Sequence, residues 1–149
     1  MRILIANDKF KGSLPSPEVA AALRTALAEV FPGAEFDSCP IADGGEGTAM
    51  AMTTALAGEW VKTKTQDAHG RPVQAPFGWV PGSATAIMEM SSASGLAMVQ
   101  DIELNPFKAS TLGTGILINS ALRKGARRIL IGIGAAAGKG VLQGNLIVR

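Results

Sequence analysis

The sequence predicts an α/β fold that opens with a parallel βαβ unit and continues into a second α/β portion organised around an antiparallel meander. Three observations lead there. Two short apolar runs, Arg2 to Ala6 and Phe36 to Ile41, flank a segment of helical period, the spacing of a strand, a crossover helix and a parallel strand. Farther along, alternating and apolar runs are separated only by tight turns at 67–72 and 81–83, as in a meander. The 149 residues suit one domain of about 50–250 residues or two small subdomains.

The first strand runs into the polar segment Asn7 to Ser13, which contains Gly12. A helix follows, with Ser16 as N-cap and Pro17 as first helical residue. Val19, Leu23, Leu27 and Val30 fall on its inner face, and Phe31-Pro32-Gly33 ends it. After the strand from Phe36 to Ile41, the run Asp43-Gly44-Gly45-Glu46-Gly47 opens a second helix, Thr48 to Ala57. The alternating stretch Glu59 to Thr65, then Val73 to Val80 and Ala84 to Met90, read as strands of the meander. Thr111-Leu112-Gly113-Thr114-Gly115 opens a third helix that turns Ile116, Leu117, Ser120 and Ala121 inward and stops at Gly125. Arg128 to Ile133 is the last strand. Residues 1–58 therefore form the βαβ subdomain, 59–134 belong to the second portion, and periodicity fades over 135–149.

Apolar residues make up 47% of the chain and charged residues 17%, so its surface carries little charge and a partner-covered face is expected. No apolar run is long enough to span a bilayer, and the charged residues Asp8, Lys9 and Lys11 follow the first strand where a signal peptide would continue apolar. A cytoplasmic location follows as the default. The single cysteine, Cys39, excludes an internal disulfide and a zinc cluster, and its apolar neighbours predict a buried small residue. His69 beside Gly70 reads as a solvated turn residue. No basic stripe interleaved with aromatics marks a nucleic-acid surface; Arg123, Lys124, Arg127 and Arg128 instead suit the end of a helix.

The segment Asp43 to Thr48 carries the most chemistry. Its three glycines let the backbone approach a ligand, and the carboxylates of Asp43 and Glu46 suit a metal ion or a proton in transfer. The same residue types also make ordinary turns. In a βαβ unit this segment and Asn7 to Ser13 both leave the carboxyl ends of neighbouring strands, the edge at which open α/β sheets bind ligands. The helix start at Gly113, Thr114 and Gly115 can receive an anion, or its glycines can serve close packing. Two further patterns are decoys. Gly132 to Ala137 fits a loose dinucleotide fingerprint but lacks the following helix and acidic residue, and Gly134 to Gly140 is one residue short of a phosphate loop and lacks its Ser or Thr.

Four motifs in register, Ile5 to Leu14, Pro40 to Thr48, Glu89-Met90-Ser91-Ser92-Ala93-Ser94-Gly95-Leu96 and Gly113-Thr114-Gly115, together resemble the glycerate kinase family of bacterial type. The resemblance covers about residues 1–134, the family's N-terminal portion, and leaves 135–149 unmatched. It implies a Rossmann-like first domain and ATP-dependent phosphorylation of D-glycerate with Mg2+ in a cleft between two α/β domains. Phosphoryl transfer needs positioning, charge neutralisation and a group that orients the attacking hydroxyl. On that basis Asp43 and Lys11 are the catalytic candidates, Asp43 serving the hydroxyl or a metal and Lys11 holding a carboxylate or phosphate. Asp8 and Glu46 assist with hydroxyls or metal, Ser13 bonds the glycerate carboxylate, Gly44, Gly45 and Gly47 shape the loop, and Gly113 to Gly115 receive a phosphate. Asp43 and Glu46 are the metal candidates.

Two departures accompany the resemblance. Leu112 stands where the family usually carries Arg, and the family continues beyond Gly134 into a long region that completes both domains. The chain is therefore expected to form an incomplete fold, to turn over weakly or not at all by itself, and to self-associate through its uncovered core. The competing expectation is a non-catalytic module that binds a small hydroxy acid or another chain; dinucleotide binding through Gly132 and Gly134 is a third.

Overall fold

The computed structural model describes residues 1–10, 12–103, 105 and 107–134. These form an α/β structure in two compact units, Met1–Asp43 and the described residues from Gly44 onward. In the first unit, β1 (Arg2–Ile5) and β2 (Glu35–Ser38) pair in parallel, Arg2 opposite Glu35 and Ile5 opposite Ser38, with α1 (Ser16–Val30) between them in sequence. The parallel βαβ expectation holds. The second strand ends at Ser38, short of the expected Ile41. Yet the chain stays alongside: the Cys39 N–H donates to the Ile5 carbonyl at 2.8 Å and the Ile41 N–H to the Asn7 carbonyl at 3.0 Å.

Three local expectations of this unit are corrected. Pro15, extended at φ −68° and ψ 152°, takes the N-cap position, and Ser16 is the first helical residue. The Ser16 hydroxyl is turned away from the helix amides by its bond to the Asn7 carbonyl, at 2.9 Å. Of the apolar stripe on α1, Val19 is buried, while Leu23 and Val30 are exposed, Val30 at 67%. Cys39 is exposed rather than buried. An apolar neighbourhood in sequence does not bury a residue that lies past the end of its strand.

In the second unit, β3 (Glu59–Gln66), β4 (Pro72–Val80), β5 (Thr85–Glu89) and β6 (Arg128–Gly132) form one sheet in the order β3-β4-β5-β6. The first three are an antiparallel meander, as expected, and β6 joins β5 in parallel, Thr85 opposite Arg128 and Glu89 opposite Gly132. Strand alternation sends Ala75, Phe77 and Trp79 of β4 and Ala86 and Met88 of β5 to one face. There they pack against Leu117, Ile118 and Ala121 of α4 (Leu112–Arg123) and Ala93 of α3 (Ser91–Ser94). Leu117 and Ala121 are inward as expected, with Ile118 beside them; Ile116 and Ser120 are only half-buried.

The opposite face receives α2 (Thr48–Ala55). Thr53 of α2 lies directly over Gly78, where a Cβ would meet the Thr53 hydroxyl oxygen at 1.8 Å, so this crossing needs glycine. The helix ends two residues short of the expected Ala57 because Ala57 turns left-handed, at φ 48°, and the Gly58 N–H folds back to the Thr53 carbonyl at 2.8 Å.

The turn between β3 and β4 is built on Asp67, whose side chain is 1% exposed. Its carboxylate accepts from the His69 N–H at 2.8 Å, the Arg71 N–H at 2.9 Å and the Arg71 guanidinium. Burial works against ionisation here, and the Arg71 and His69 donors outweigh it, holding the carboxyl below its usual range. Arg71 also reaches Asp101 at 2.6 Å and the Met98 carbonyl at 2.6 Å, tying the segment after α3 to the hairpin.

Candidate active site

In the first unit, the segment Asn7 to Ser13 leaves the carboxyl end of β1 beside the chain that leaves β2 for Asp43, the Ile41 N–H donating to the Asn7 carbonyl. Asn7 organises its loop: its amide donates to the Ser16 carbonyl at 2.9 Å and to the Asp8 carbonyl at 3.1 Å, fixing the loop to the start of α1. The Asp8 carboxylate accepts from the Lys9 N–H at 2.7 Å, a local turn that holds the side chain at the loop's base. Gly12, at φ 75°, reverses the chain so that Phe10 pairs with Leu14. Ser13 and Asp43 are exposed. Lys11 lies outside the described residues.

In the second unit, Gly44 to Thr48 packs at the carboxyl ends of the parallel pair β5 and β6. Gly44 and Gly47 have φ of 90° and 100°, a conformation that side chains other than glycine's resist. Gly45 is buried and Glu46 is exposed. The segment sits against backbone. The Gly134 N–H donates to the Gly44 carbonyl at 3.0 Å, and a Cβ on Gly132 would meet that carbonyl oxygen at 2.7 Å. A Cβ on Gly134 would meet the Gly45 Cα, also at 2.7 Å. The Gly132-Ile133-Gly134 run that imitates a dinucleotide fingerprint is thus occupied in cradling the acidic loop. A shallow, mainly apolar cleft of about 240 Å³ adjoins it, lined by Thr48, Met52, Ile87, Leu130 and Gly132 among others.

Glu89, the first residue of the third family motif, has a place in the site that the motif by itself does not announce. Glu89, 6% exposed, ends β5 and accepts from the Ala49 N–H of α2 at 2.6 Å. Its other oxygen accepts from the Ser91 hydroxyl at 3.1 Å. A buried acid on an otherwise apolar strand was the available signal.

Gly113, Thr114 and Gly115 form the first turn of α4, on the face of the sheet opposite α2. The Thr65 hydroxyl donates to the Gly113 carbonyl at 2.8 Å, and the Thr114 hydroxyl bonds that of Ser94 at 2.9 Å. A Cβ on Gly113 would lie 1.9 Å from the Gln66 carbonyl oxygen, whereas one on Gly115 would meet nothing within 4 Å. Gly113 therefore serves close packing, and Gly115 faces open space.

Among the described residues, no three His, Cys, Asp or Glu side chains gather into a metal cluster. Magnesium needs less, since one or two carboxylates with water and phosphate oxygens complete its octahedron. An exposed Asp43 suits that donor set. No helix among the described residues is long and apolar enough to cross a membrane.

Comparison with known proteins bears on all of this. The model of the glycerate kinase family matches residues 3–144, continuing past Gly134 where the sequence motifs end, so the segment expected to diverge shares the family pattern through 144. Glycerate kinase of Bacillus subtilis (strain 168) is 43% identical, the match taking in 96% of this chain and 38% of that protein. Glycerate 2-kinase of Escherichia coli (strain K12) is 42% identical, over 96% of this chain and 39% of that protein. The crystal structure of a protein assigned as glycerate kinase 2 from Salmonella typhimurium LT2 superposes with a TM-score of 0.76 at 41% identity, covering 93% of this chain and 37% of that one. The chain thus spans rather more than a third of the length of the relatives it matches.

Proposed function

The chain belongs to the glycerate kinase family, and we propose that it carries the acceptor-side loops of a kinase that phosphorylates D-glycerate with ATP and Mg2+. The observation that supports this best is the acidic, glycine-rich segment from Asp43 to Thr48 at the carboxyl ends of parallel strands, in a chain whose relatives are named for that activity. Glycerate offers a carboxylate and two hydroxyls. In this proposal Ser13 and Lys11 hold the carboxylate, and Asp43 orients the attacking hydroxyl and accepts its proton as the new P–O bond forms and the bond from the γ-phosphorus to the bridging oxygen breaks, releasing ADP. Asp8 and Glu46 fix the remaining hydroxyl, and the first turn of α4, Gly113 to Gly115, receives phosphate on its open side at Gly115. Asp43 or Glu46 would hold magnesium, which would supply charge neutralisation for the transferring phosphoryl group. A cytoplasmic setting is part of the proposal, and the unpaired Cys39 fits a reducing compartment.

The 149 residues by themselves are expected to bind glycerate and to turn over weakly or not at all, because they span about 38% of the length of such relatives. A chimera tests the assignment. With residues 3–144 replacing the matching segment of the Bacillus subtilis glycerate kinase, glycerate-dependent ADP formation should appear, and Asp43→Asn should lower kcat by about 100-fold or more. A folded chimera without glycerate-dependent turnover, or one indifferent to Asp43→Asn, would refute the proposal. Robust turnover by the 149-residue chain alone would instead refute the expectation of weak activity.

A further inference from the structure

We propose that Glu89 is a positioning residue for the acidic glycine loop, its carboxylate setting where α2 begins and so where residues 44–48 lie; the inference rests on reading that loop as part of the glycerate site. The N-cap of α2 is Gly47, which has no side chain to satisfy the first amides, and the helix is eight residues long. So short a helix does not hold its own geometry, and the free amides of its first turn must find an acceptor elsewhere. Glu89 supplies one from forty residues away, at 2.6 Å, the short distance of a charge-assisted bond. Its negative charge also lies at the positive end of the helix dipole.

The carboxylate is held in turn. Ser91 donates to its second oxygen, and the Met90 N–H next to it donates to the Gly132 carbonyl at 2.9 Å. Gly132 and Gly134 are the residues that cradle Gly44 and Gly45. One buried acid therefore links the carboxyl ends of β5 and β6 to the helix that carries the loop. Among the described residues no Lys, Arg or His forms an ion pair with Glu89, so its burial is offset by these hydrogen bonds.

Amide hydrogen exchange of the full 149-residue chain, with and without D-glycerate, tests the inference. In Glu89→Leu, exchange over residues 44–50 should rise about tenfold or more, the loss of one charge-assisted hydrogen bond, while β3 and β4 keep their protection. Glu89→Gln retains the length and an acceptor oxygen and should restore most of it; Glu89→Asp, one methylene shorter, should not. Glycerate affinity should follow the same order. Unchanged exchange in Glu89→Leu, equal loss of protection across the whole sheet, or failure of Gln to rescue overturns the inference. If the unmutated chain binds no glycerate, the functional proposal fails, while the exchange pattern still decides the role of Glu89.

Discussion

Gly113 and Gly115 stand two positions apart in one helical turn, and replacing each by Ala should move stability in opposite directions. At Gly113 the new Cβ would lie 1.9 Å from the Gln66 carbonyl oxygen and 3.3 Å from the Ala93 Cβ. The first contact is with backbone at the end of β3, which is paired to β4, so α4 must shift. Overpacking of this kind costs about 1–3 kcal/mol, and a shift that breaks the Thr65 bond to the Gly113 carbonyl adds about 1 kcal/mol. A total near 3 kcal/mol follows. At Gly115 nothing lies within 4 Å, and Ala removes the flexibility of a helical glycine, a gain of about 0.5–1 kcal/mol. Urea unfolding followed by fluorescence of Trp60 and Trp79 reports on this unit. With a slope of about 2 kcal/mol/M, the two variants should differ in midpoint by roughly 1.5–2 M. Equal midpoints would refute the assignment of Gly113 to packing. Retained stability with lost phosphate or nucleotide affinity in Gly115→Ala would show that the open glycine serves a ligand.

Asp67→Asn should cost about 2 kcal/mol at pH 7, since three donors lose a charged acceptor. The Asp67 carboxyl is lowered in the folded state, so its contribution is present above the ordinary carboxylate range and lost as pH falls through the folded value. Urea midpoints of wild type and variant should therefore converge below about pH 4, and a gap that persists in acid would contradict the pairing. Gly132→Ala sets a Cβ 2.7 Å from the Gly44 carbonyl oxygen and should destabilise by about 2 kcal/mol, with faster exchange at residues 44–48. An unfolding free energy within about 0.5 kcal/mol of wild type would mean that the cradle is loose.

Much of the architecture was legible because period and punctuation agree. The strand, helix and strand order of the first unit, the meander at 59–90 and the helix ended by Gly125 all combine apolar periodicity with turn residues at the joints. Where these signals separated, expectation slipped. Ser16 has the chemistry of a cap, but its hydroxyl is drawn to the Asn7 carbonyl, a competition that local pattern does not display. Cys39 has apolar neighbours, yet β2 ends at Ser38. The stripe on α1 names Leu23 and Val30, and only burial can say that both face solvent.

For the candidate site, the sequence alone determined the loops, their carboxylates and the family resemblance, because glycines at fixed offsets and paired acids are local chemical facts. It also determined that Asn7 to Ser13 and the strand end before Asp43 share an edge, since a parallel βαβ unit brings its two strand ends together. Only the tertiary structure decided what holds the acidic loop. Glu89 reaches Ala49 across forty positions, and Gly132 and Gly134 are glycines because backbone of residues 44–45 lies where their side chains would be. Such contacts depend on distances between elements that no local period records. The same physics separates Gly113, pressed against β3, from Gly115, open to solvent, in a motif whose letters treat them alike.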